Sequence, residues 1–388
     1  MVTASASRSA SLVRGPVGSD PAALLEKRRA PRRWPWVHPV VAAVCAAVAF
    51  AAVLTAEGLR PISEAGSSGV SRVVVTRPTL AAVADAHGDQ YVVWNEGRGL
   101  DSFSVFVRSR AIWTSPTRVP GVASGSSVPA IAVLDRKRGR VLLWLLWRDG
   151  RDDLRSVEAM VSGLSIGKVS VRWGRPHVVG GTGSLASSPA ATVVPWGRSA
   201  GLWTVWRGAG AGLWTDRGLI HGDRVAWPPR AILVPGMGPL GSGPTVAGDG
   251  AGDLYVYWRG AAGNGNVWGA WFVNGVWSQH PTDLTFSLGT GSPPAVGVLD
   301  DGAQDIFWRG TDGNLWFAES ADGAWLRNGA NMTGDGPVDS EPAVTSSALG
   351  ADVFWLGSGG NVWVIRQSSP MLPSWGGEVV IATGAARS

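Results

Sequence analysis

Residues 307–325 read FWRGTDGNLWFAESADGAW, short apolar runs parted by Asp-Gly turns. Just before it, Ala295–Leu299 leads through Asp300-Asp301-Gly302 into Gln304–Arg309, whose apolar end is Ile306-Phe307-Trp308. Thr311-Asp312-Gly313-Asn314 then separates that run from Leu315–Glu319, and Ala321-Asp322-Gly323 separates the latter from Ala324-Trp325-Leu326. Asp and Gly tolerate the positive φ of a tight turn, so Asp-Gly between short apolar runs predicts antiparallel hairpins. Three or four short strands within about 50 residues make one small sheet.

The same phrase recurs along the chain. Strand-ending tryptophans stand at Trp94, Trp147, Trp206, Trp258, Trp308 and Trp355, with spacings of 53, 59, 52, 50 and 47 residues. Prolines open the units at Pro78, Pro129, Pro189, Pro244, Pro294 and Pro342. Tryptophans close them at Trp113, Trp173, Trp227, Trp277, Trp325 and Trp375. Three interleaved series in constant order define six repeats. A sheet this small must bury its faces against its neighbours, and radial stacking leaves only short, protected edges. No segment after Pro78 has the length and 3.6-residue period of a helix. The expected fold is an all-β, six-bladed β-propeller over residues 70–388. Ser71–Thr76 pairing with Glu378–Thr383 would close the ring; a seventh, poorly matched blade is the alternative.

Composition agrees with a turn-rich β fold. Among 388 residues there are 54 Gly, 25 Pro and 22 Trp, and only 16% are charged. The net charge of +5 does not mark a nucleic-acid surface: residues 1–37 hold seven of the 34 basic groups and two of the 29 acidic ones. The other 351 residues balance at 27 of each sign, and no concentrated basic patch remains. With Cys45 as the only cysteine, no intramolecular disulfide is available.

The N-terminal part reads as an address. Residues 1–36 are expected to form a disordered basic cytoplasmic segment ending in Lys27-Arg28-Arg29-Ala30-Pro31-Arg32-Arg33 and Trp34-Pro35-Trp36. Residues 37–56 then read as a transmembrane signal-anchor helix. Its apolar run from Pro39 to Ala56 would be about 27 Å long at ~1.5 Å per residue, against a hydrocarbon core of ~30 Å. Basic residues before the span place the N-terminus in the cytoplasm and the propeller outside. Residues 57–69 form a linker. Cleavage near Ala49-Phe50-Ala51, giving a secreted protein, is the competing reading.

The units resemble the repeat of the PLL-type bacterial β-propeller lectins, which bind fucose and related sugars, and more loosely the tectonin repeat. The resemblance rests on Phe307–Trp325, on YWRGAAGNGNVWGAWFVNGVW (Tyr257–Trp277), on VWRGAGAGLW (Val205–Trp214) and on FWLGSGGNVW (Phe354–Trp363). Units one and two depart from it, with Leu100-Asp101 and Leu154-Arg155 in place of the Leu/Val-Trp pair. The resemblance implies glycan or glycoconjugate partners and no cofactor. Envelope proteins are the alternative partners, for a scaffold propeller without a sugar site.

Two residue sets are candidate sugar ligands. Trp214, Trp268, Trp316 and Trp363 follow the second turn; an indole face can stack on the C–H face of a sugar, or simply fill the space between blades. Arg148, Arg207, Arg259 and Arg309 follow the strand-ending tryptophans; a guanidinium suits sugar hydroxyls or an acidic sugar carboxylate, or can tie a turn to backbone carbonyls. The strand-ending tryptophans themselves read as core. Fucose lectins of the fungal type pair such an Arg with a Glu at fixed distance, and no such Glu recurs here. Sialidases also have six blades, but Ser320-Ala321-Asp322-Gly323-Ala324-Trp325 lacks the residue that their turn carries between Asp and Gly. Tyr91, Tyr255 and Tyr257 all fall within strand patterns. Neither a catalytic residue nor a metal-ligand spacing is expected.

Overall fold

The computed structural model describes residues 80–382, except for segments 96–100, 124–125, 128, 137–138, 182, 262–264, 285–288, 300–301, 322–323, 333–337, 348–349, 358–360 and 370–371. The expected basic segment, membrane span and linker lie outside the described residues, as do Cys45, Pro78 and Ser71–Thr76. Among the described residues no helix is long and apolar enough to cross a membrane.

Six antiparallel sheets follow one another along the chain, one per repeat. The inner strands are Leu80–Ala84, Ala130–Arg136, Ala190–Trp196, Thr245–Gly248, Ala295–Val298 and Ala343–Ser347. Each packs beside the inner strands of the blades before and after it, and the first packs beside the sixth, so the ring is closed at six. The second strands are Gln90–Asn95, Arg140–Arg148, Ser199–Arg207, Leu254–Arg259, Gln304–Arg309 and Gly350–Leu356. The third are Asp101–Val107, Leu154–Ser162, Leu213–His221, Val267–Val273, Leu315–Ala321 and Val362–Ser369. The outer edge is broken into two short pieces in every blade but the fifth.

The second strands are apolar at nearly every position because both of their faces meet another blade. In Arg140–Arg148, Val141, Leu143, Leu145 and Trp147 pack with Phe103 and Val105 of blade one. The alternate residues Leu142, Trp144 and Leu146 pack with Leu202 and Trp206 of blade three. All six strand-ending tryptophans are at most 4% exposed, as a core role requires. Val379–Ala382 pairs with Val362–Ser369 as part of blade six's outer edge; the partner expected for it, Ser71–Thr76, lies outside the described residues.

Candidate functional site

The strand register sets the aromatic pattern. Trp206 lies opposite Trp214, Trp258 opposite Trp268, Trp308 opposite Trp316, and Trp355 opposite Trp363. In each pair the first indole is buried and the second is half-buried. The second faces the preceding blade: Trp214 packs on the core shared by blades two and three, Trp268 on that of three and four, Trp316 on that of four and five, and Trp363 on that of five and six. Trp355 and Trp363 stack with centroids 6.5 Å apart. Part of each second indole therefore stays accessible in a wedge between blades.

A glycine supports each wedge. A Cβ placed on Gly208, Gly260, Gly310 or Gly357 would lie only 2.4–2.6 Å from the indole nitrogen of Trp214, Trp268, Trp316 or Trp363. The Gly after Trp-Arg (Trp-Leu in blade six) thus gives the indole its seat. In blade five the indole is also held by the turn, where Trp316 Nε1 donates to Asp312 Oδ1 and Oδ2 at 3.1 and 3.2 Å. Slight burial opposes ionisation of Asp312, but donors from Asn314 and Trp316 outweigh it and hold the carboxyl below the usual carboxylate range.

The arginines take a different course. Arg207 donates through Nη2 to Ala186 O at 3.0 Å and through Nη1 to Leu240 O at 3.5 Å, linking blades three and four. Arg259 donates to Gly241 O at 3.4 Å, and Arg309 Nε donates to Val338 O on the loop entering blade six. Arg148 turns outward to Asp152 at 3.5 Å. Three of the four therefore tie loops to backbone carbonyls, and only Arg207 and Arg259 also line the funnel at the ring axis.

A further series escaped the reading of the sequence. Ser127, Ser187, Ser242, Ser292 and Ser340 each stand two residues before an opening proline. Their hydroxyls accept the backbone N–H of Arg148, Arg207, Arg259, Arg309 and Leu356 at 2.9–3.1 Å. The signal was present as Ser-x-Pro, but its purpose shows only once the end of the second strand lies beside the start of the first.

The departures in units one and two have structural consequences. Opposite Trp147 stands Arg155, whose Nε donates to Asp149 Oδ2 at 2.6 Å. Opposite Trp94 stands Ser102, and beside it the seam between blades six and one opens into a pocket of about 260 Å³. Trp94, Trp113, Pro116, Val362 and Ile381 line it together with the hydroxyl-bearing Ser104 and Thr114.

Several acidic groups and the tyrosines are occupied within the blades. Asp85, Asp149 and Asp249 each accept two backbone N–H bonds within their own turns. The hydroxyls of Tyr91, Tyr255 and Tyr257 donate to Asp85, Asp249 and Gln304. Burial raises the Tyr255 and Tyr257 hydroxyls above their usual range, which is the wrong direction for a nucleophile. Among the described residues no group of three His, Cys, Asp or Glu side chains could hold a metal ion.

Solved structures share this architecture. The lectin of Aleuria aurantia in complex with Fucα1-6GlcNAc superposes with a TM-score of 0.54 at 17% identity, over 79% of this chain and 97% of that one. The chain has the fold of a six-bladed β-propeller. AofleA from Arthrobotrys oligospora matches this β-propeller fold with a TM-score of 0.56 at 13% identity, over 80% and 88% of the two chains. The BP39L lectin of Burkholderia pseudomallei does so at 0.50 and 17%, over 79% and 99%. At these identities the likeness is one of fold. No family model matches the chain, and no curated protein matches it in sequence.

Proposed function

We propose that this chain is a non-catalytic, lectin-like propeller that binds carbohydrate in the wedges between its blades, displayed outside the cytoplasmic membrane. The observation that carries this reading is the half-buried indole repeated at Trp214, Trp268, Trp316 and Trp363. Each offers an aromatic face in a concave wedge, the arrangement that suits the C–H face of a sugar. The fold likeness supports it, since the Aleuria aurantia protein is a lectin with a fucosylated disaccharide bound. The narrower resemblance to the PLL-type repeat belongs to the same proposal, as does anchoring through residues 37–56. Repeated wedges on one rigid ring make the binding multivalent, so avidity exceeds single-site affinity by ~10²–10⁴ for a multivalent glycan.

The alternative, a protein-interaction or envelope scaffold, is favoured by one observation: Arg207, Arg259 and Arg309 spend guanidinium hydrogens on backbone carbonyls. Titration of the full-length chain with methyl α-L-fucoside separates the two. The lectin reading expects about four equivalent sites, one per indole, falling to about three in Trp316→Ala with unfolding otherwise normal. Absence of binding by fucosides and other monosaccharides would leave the scaffold.

A further inference from the structure

The axial funnel carries charge that the wedges do not use. It encloses about 460 Å³ where the inner strands begin. Blades one, two and five line it with Leu, Ala, Pro, Ile and Val side chains only. Its charged lining residues are Arg207 from blade three, Arg259 from blade four and Glu341 from blade six. Two arginines thus share one small funnel with a single carboxylate, beside Ser187, Ser188, Ser242 and Thr245.

Each guanidinium has donors to spare. Among the described residues, Arg207 uses one hydrogen from each Nη, and Arg259 uses one from Nη2. Since a guanidinium carries five N–H donors, Nη hydrogens remain on both. The Nε of each is buried without a partner, which already raises the value of any acceptor that settles nearby. The Glu341 carboxylate is exposed to the funnel and makes no hydrogen bond or ion pair with the described residues.

We propose that the axial funnel binds a small acidic sugar, its carboxylate on Arg207 and Arg259 and its hydroxyls donating to Glu341. A carboxylate forms its stronger, charge-assisted bonds with guanidinium. The Pro, Ala, Ile and Val side chains of the wall suit the C–H faces of a pyranose. A neutral sugar would leave both cations unpaired. A bare anion would meet Glu341 with nothing to offer it. None of the four wedge indoles lines the funnel, so the site stands whether or not the wedges bind sugar.

Calorimetric titration of the full-length chain with D-glucuronate, D-glucose and acetate tests this. Glucuronate is expected to bind at least about tenfold more tightly than glucose or acetate. Arg259→Gln should weaken glucuronate about tenfold, while Glu341→Ala should bring glucuronate and acetate to within about threefold of each other. Trp316→Ala should leave glucuronate affinity unchanged; a loss there would move the site to a wedge and overturn the proposal. Equal binding of glucuronate and either comparison ligand by the native chain would also overturn it, as would unchanged affinity in Arg259→Gln. If Arg259→Gln fails to fold, Glu341→Ala decides, because its carboxylate holds no part of the fold: an unchanged glucuronate-to-acetate ratio refutes the proposal.

Discussion

Asp216 lies on the third strand of blade three, 2% exposed, on the face turned toward blade two with Thr204 opposite it in the sheet. Burial pushes its carboxyl up to about 6, with the Arg217 N–H as the opposing influence. Between pH 4 and 6 the folded state therefore holds a proton that the unfolded chain releases, so stability falls as pH rises through this window. The loss is roughly 1–3 kcal/mol by pH 7. Asp216→Asn keeps the Arg217 acceptor and removes the charge, so its thermal midpoint should be nearly flat from pH 4.5 to 7 while that of the native chain declines. Parallel curves would mean that Asp216 is solvated by some other route. Nothing in the sequence marks this residue, since a Thr-Asp-Arg run reads as a solvated strand edge. By contrast, the burial of Trp147, Trp206 and Trp308 was legible, because each ends an apolar strand at a fixed beat.

The element that matters most is the end of the second strand, where Ser, Gly and Trp lock together. Ser292 accepts the Arg309 N–H at 3.1 Å and donates to Pro293 O at 2.8 Å. Ser292→Ala leaves that N–H unpaired, and a cost of about 1–2 kcal/mol is expected in denaturant unfolding. Gly310→Ala is the harsher change: its Cβ would sit 2.3 Å from Asp312 Oδ1 and 2.6 Å from the Trp316 ring. The indole must then leave its seat, shifting Trp fluorescence and removing sugar binding at that wedge; an unchanged spectrum would show that the seat is loose. The hairpins around Asp312-Gly313 were readable from turn chemistry alone. The serines were not, because a hydroxyl two residues before a proline acquires its partner only through the sheet.

For the whole molecule, the join between first and last blades carries the ring. Among the described residues, each sheet takes its strands from one continuous stretch of chain, so the blades meet through side-chain packing. Leu80, Val92 and Trp94 of blade one pack on Phe354, Leu356 and Val364 of blade six. Phe354→Ala is expected to cost about 3–5 kcal/mol and to open the ring at this seam first, detected as early proteolysis there. Six repeats and their stacking were legible because the Trp and Pro series count them. The pocket at the seam was not, because Trp94 and Trp113 meet Val362 and Ile381 there only when the ring closes.

A glycan-array screen of the full-length chain puts carbohydrate binding by the ring to the test. Selective retention of fucosylated or acidic glycans is expected, weakened in Trp316→Ala while thermal unfolding is preserved. No retention of any glycan by a folded native chain would contradict it.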